Sequence, residues 1–122
     1  DHTTLQIVTL AVAREWDCQY EWTAHEPQAR DALVREDAIT AIKENRAPEG
    51  LTEEEALLVR YVHELLREHR VSSETFDRIQ GRFSPLELTD LTTTIGYYSM
   101  LACVLIAYEV QPAEGVVPLL PL

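Results

Sequence analysis

The chain has 122 residues, 46% of them hydrophobic and 25% charged, an ordinary composition for one globular domain with a single core. A formal charge of −11 argues against nucleic acid as a partner, because phosphate binding needs clustered Lys and Arg. Cys18 and Cys103 are the only cysteines and form no CxxC pair, which favours a reducing, cytoplasmic setting over a disulfide-stapled secreted domain.

Residues 4–16, TLQIVTLAVAREW, are apolar nearly all round. Ile7, Val8 and Val12 would also suit a strand, but the length and the Ala-Val-Ala-Arg-Glu continuation favour a helix buried on several sides. No signal peptide is visible and no apolar run reaches the ~20 residues of a membrane helix, so no membrane association is expected. The chain does not start with Met, which leaves room for a segment upstream of Asp1.

A second helix is expected over Gln19–Leu33. Pro27 costs a helix interior about 3 kcal/mol, so either a kink there or a helix restarting near Glu26 is expected. A short amphipathic helix follows around Glu36–Lys43, then the loop ENRAPEG. Thr52 with Glu55 forms a capping box that opens a helix lasting to about His69, with Leu58, Val62, Leu65 and Leu66 at helical spacing. The acidic run Glu53–Glu55 suits the dipole of its first turn. Ser72 or Ser73 caps a short helix ending near Gly81.

Ser84-Pro85-Leu86-Glu87 combines a cap, a first-position proline and a returning glutamate. The last helix then repeats Leu88, Leu91, Ile95, Tyr98, Ala102 and Leu105 as a core or helix–helix seam. Gly96 in mid-helix costs about 1 kcal/mol against Ala and points to a close helix approach, and Cys103 reads as core. The tail from Gln111 is expected to be extended and to pack on a neighbouring subunit. The class is all-α, with about five to six helices and no strands.

Chemistry concentrates in EWDCQYEWTAH, Glu15 to His25. At ~3.6 residues per turn, Cys18, Glu21 and His25 share one face of the second helix. Glu21 one turn before His25 would stabilise an imidazolium and orient its ring. The blander reading is an i, i+4 pair that supports the helix by a few tenths of a kcal/mol. His63 and His69, in HELLREH, lie six apart rather than the four of HExxH, so they read as a solvated face and no zinc is expected.

The combination of EWDCQYEWTAH with the later RFSPLELTDLTTTIGYY resembles the carboxymuconolactone decarboxylase family, which includes the alkyl hydroperoxidase D-like proteins. The resemblance runs from Leu5 to about Tyr108. It implies an alkyl hydroperoxidase D-like helical bundle, usually a trimer or hexamer. Redox members carry C-x-x-C-x-x-x-H on a helix, with a glutamate twelve residues before the first cysteine. On this sequence Cys18 matches the first cysteine and His25 the histidine, while Glu21 replaces the second cysteine and Gln6 the upstream glutamate.

In redox members the second cysteine attacks peroxide, and a carboxylate there can form neither a sulfenic acid nor a disulfide. Gln6 can orient a group but cannot act as a base. The resemblance therefore implies non-redox acid–base chemistry: decarboxylation or proton transfer on a small cyclic or unsaturated acid. His25 is the expected proton donor or acceptor, Glu21 its partner, Gln6 a hydrogen-bonding member, and Trp22 part of the apolar wall. One of Tyr97 and Tyr98 packs in the core; the other, with Tyr98 the candidate, reaches the pocket or an interface. No cofactor is expected. The rival readings are an antioxidant protein using Cys18, alone or with Cys103, and a catalytically silent ligand-binding oligomer.

Overall fold

The computed structural model describes residues 1–116 and 120–121. Among them six α-helices and no strand occur, so the protein is all-α: α1 (His2–Glu15), α2 (Gln19–Asp31), α3 (Glu36–Lys43), α4 (Glu53–His63), α5 (Ser73–Gln80) and α6 (Pro85–Ala107). A single π-helical turn, Glu64–Glu68, extends α4.

α1 is the central element, and every residue from Ile7 to Ala13 is buried. α2, α3, α4 and α6 all pack against it, which explains why its sequence is apolar all round. Local signals place the other helix starts. Thr52 and Ser84 each accept a hydrogen bond from the third residue of their helix, and Glu55 and Glu87 return the bond to the cap backbone. Ser72, rather than Ser73, caps α5.

Several expectations are corrected. α2 passes through Pro27 without restarting. The helix from Thr52 does reach His69 as expected, but its last turn, Glu64–Glu68, is π-helical, and His69 closes it at a left-handed φ of 58°. Cys103 is exposed, not core. Gly96 has no close helix neighbour, since an added Cβ would meet nothing within 4 Å. α6 buries Leu91, Ile95 and Ala102 but leaves Tyr97, Met100, Val104 and Ile106 exposed. Its apolar repeat is thus wider than the stripe its neighbours cover.

Contrary to the sequence expectation, α6 is also long and apolar enough to cross a membrane by length and composition alone. Of the described tail, Leu120 folds back onto its own chain, while Ala113–Val116 are exposed. Leu120 is buried, and the Gln19 amide both donates to its carbonyl (3.0 Å) and accepts from its N–H (3.1 Å). The rest of the expected tail packing, at Val117, Pro118, Leu119 and Leu122, lies outside the described residues.

Candidate active site on the second helix

α2 begins directly after a tight connection in which Asp17 adopts a left-handed φ of 50° and Cys18 takes the N-cap position. Helical spacing then carries Glu21 and His25 along the side facing α1 and α6. Glu21 is buried, and neither carboxylate oxygen has a hydrogen-bond partner among the described residues. Burial disfavours the ionised form and pushes this carboxyl up to about 7.

His25 is partly buried and held from two other helices. Its Nδ1 lies 3.4 Å from Oε1 of Gln6 on α1; with the proton on Nδ1, the ring donates and the amide oxygen accepts. The Gln6 amide nitrogen in turn lies 3.5 Å from Oε1 of Gln28. On its other contact the imidazole meets Tyr98 of α6 edge-on, with ring centres 5.0 Å apart, and Tyr97 packs on Tyr98 in the same way at 5.1 Å. Burial holds the His25 pKa below its ordinary value, so the ring is neutral at pH 7.

The structure thus brings Gln6, His25 and Tyr98 together from three helices. It does not form the expected Glu21–His25 hydrogen bond: the imidazole finds its polar partner on α1, and Glu21 has none. Tyr98 feels both groups. Burial raises its hydroxyl pKa, and the neighbouring Tyr97 and Glu21 charges add to the effect.

Cys18 is buried, and its thiol is raised by burial and by the Glu21 charge, against opposing backbone hydrogen bonds from Glu21 and Tyr20. A raised pKa means less thiolate, the form that reacts with peroxide. Trp22 is fully enclosed in the core, where its Nε1–H donates to Glu26 Oε1 (2.8 Å), and it does not line the cleft between α1 and α6.

A cleft of about 320 Å³ opens between α1 and α6, lined by Gln6, Thr9, Thr93, Thr94, Tyr97 and Tyr98 among others. Two of these, Gln6 and Tyr98, are the residues that hold His25. The cleft's lining is rich in hydroxyl and amide groups and contains no Lys or Arg.

Two further buried carboxylates escaped the sequence reading. Glu26, one position beyond His25, receives hydrogen bonds from Trp22 and Arg30 and an ion pair from Lys43 at 2.9 Å. Burial would raise its pKa, but these partners outweigh that and hold it below the ordinary carboxylate range. Glu64 accepts from Thr75 Oγ1 (2.6 Å), the Ser72 N–H (2.7 Å) and Arg60 Nε (2.8 Å). The i, i+4 pairs Glu26–Arg30 and Arg60–Glu64 were visible as spacing; the donors from elsewhere in the fold were not.

His63 is a further correction. It is half-buried rather than solvated, near Glu15 of α1 (3.9 Å) and Arg67 (3.4 Å), whereas His69 is exposed. Among the described residues no group of three or more His, Cys, Asp and Glu converges as a metal site would require. No protein-family model, curated protein or solved structure matches the chain.

Proposed function

We propose that this chain is a carboxymuconolactone decarboxylase-like, non-redox enzyme that removes CO2 from, or moves a proton on, a small cyclic or unsaturated acid. One observation carries the reading: a buried Glu21 carboxyl, both oxygens unpartnered among the described residues, pushed up by burial to about 7. A group that is half-protonated at working pH is suited to general acid–base catalysis. The motif EWDCQYEWTAH supports the same reading, because Glu21 replaces the redox cysteine.

The roles of the pair are exchanged relative to the sequence expectation. Protonated Glu21 is the proton donor, and neutral His25, four residues on in the same helix and fixed by Gln6 and Tyr98, is the second polar group of the site. In a decarboxylation the C–C bond to the carboxylate breaks, CO2 leaves, and its electron pair stays as a dienolate. The Glu21 O–H then protonates the ring carbon, and solvent restores that proton. The hydroxyl-rich cleft beside Gln6 and Tyr98 is where the substrate enters.

The enzyme acts as a homo-oligomer in which a second copy covers α6. Its exposed Tyr97, Met100 and Val104 lie in the uncharged stretch Leu91–Tyr108, where two chains of −11 charge can meet with little repulsion.

The test is a panel of unsaturated cyclic acids and lactone acids incubated in D2O, with CO2 release and carbon deuteration read by NMR. A turned-over acid is expected to lose about 100-fold or more in rate with Glu21→Gln, and the wild-type rate to fall as pH rises through 7. An unchanged rate in both Glu21→Gln and His25→Ala, or no turnover across the panel, overturns the reading.

A further inference from the structure

A second cleft, of about 380 Å³, lies on a different part of the molecule and shares no lining residue with the first. Its apolar wall is Ala56, Leu57 and Val59 of α4 with Ala47 and Pro48 of the preceding loop. Its polar side carries Arg60 and His63 from α4 and Arg78 from α5, with Glu53 the only carboxylate in the lining. We propose that this cleft binds a small organic anion, a carboxylate carried on a short apolar body.

The two guanidiniums are only partly committed within the described residues. Arg60 gives Nε to Glu64 (2.8 Å), while its Nη1 stands 3.8 Å from Glu74, beyond hydrogen-bond reach. Arg78 makes one long contact, Nη2 to the exposed Glu53 at 3.4 Å. Each guanidinium therefore keeps a fork of free N–H donors, the geometry that receives a carboxylate on two bonds. His63 beside them is drawn toward Arg67 and Glu15 and leaves the guanidinium N–H groups unoccupied.

In a chain with 21 acidic and 10 basic residues, the cleft's two guanidiniums also face carboxylates, Glu53 in the lining and Glu64 and Glu74 beside Arg60, so the cleft offers no positive field of its own. The field of the remaining surface repels anions, so binding must rest on these short-range bonds together with the apolar wall. The volume is at the small end of the range for ligand sites, about 300–1,000 Å³, which suits a ring or short chain rather than a long acyl group. A bare inorganic anion would leave the Ala47, Pro48 and Ala56 side unused.

Benzoate is the probe, titrated into the full chain and followed by backbone amide NMR, with benzamide as the uncharged isostere. Saturable shifts are expected at residues 56–63 and at Arg78, with benzamide binding about tenfold more weakly or worse. Arg78→Ala, whose only ion-pair partner among the described residues is the exposed Glu53, is expected to bring benzoate down to the benzamide level with an unchanged circular dichroism spectrum, and Arg78→Lys to recover part of the loss. Equal binding of benzamide, equal competition by inorganic phosphate, shifts confined to the Gln6–Tyr98 cleft, or an unaffected Arg78→Ala variant would each overturn the assignment.

Discussion

Glu64 and Glu21 are both buried carboxyls on helices packed against α1, yet their chemistry diverges. Burial acts on both in the same direction, against the charge. At Glu64 three donors answer it, from Thr75, Ser72 and Arg60, and the group is held down at about 2. At Glu21 none answers it, and the group rises to about 7. The lesson is that burial does not decide what a carboxylate does; the count of donors aimed at it does. A satisfied carboxylate is a staple, here fastening the π turn to the start of α5, and an unsatisfied one is free to exchange a proton.

Removing the staple is expected to have the largest effect. Glu64→Ala orphans the Thr75 hydroxyl, the Ser72 N–H and Arg60 together, and should cost about 3–5 kcal/mol in urea unfolding at pH 7. Because the folded pKa is depressed, the contribution of Glu64 is present above the ordinary carboxylate range and is lost as pH falls toward 2. A loss under about 1 kcal/mol would dissolve the contrast with Glu21.

Glu21→Gln carries the opposite sign. The folded state holds Glu21 protonated up to about 7, whereas the unfolded chain ionises near 4.3, so wild-type stability falls as pH rises between these values. The variant escapes that loss and should be more stable than wild type by roughly 2–4 kcal/mol at pH 8, with no such gain at pH 4. Destabilisation at pH 8 would mean that Glu21 has donors.

The smallest effect is expected at Gln6→Ala. The lost bond to His25 is long, at 3.4 Å, and the ring keeps its contact with Tyr98. Stability should change by less than about 1 kcal/mol, while the His25 ring proton signals move. Unmoved signals would show that Gln6 does not hold the ring.

Whatever depended on neighbours along the chain was legible in the sequence. The caps at Thr52 and Ser84 are local patterns, and the fold keeps them, whereas Cys18 sits before α2 with extended backbone rather than on its face. What depended on which element covers which was not. α6 carries apolar residues on more than one side, so the sequence offered no reason to place Cys103 or Gly96 outside the core. Trp22 sits one position from Glu21, yet spacing does not show that its indole lies in the interior against Glu26. His63 owes its burial in part to Glu15, far away in sequence on α1. Above all, an absent hydrogen-bond partner cannot be read from spacing, and that absence is what distinguishes Glu21.

The most direct test is a side-chain carboxyl NMR titration of the chain labelled with 13C at glutamate Cδ, with Glu21→Gln to assign the signal. One resonance titrating near pH 7 and missing from the variant is the predicted result. A Glu21 signal titrating in the ordinary carboxylate range, below about 5, would contradict the account.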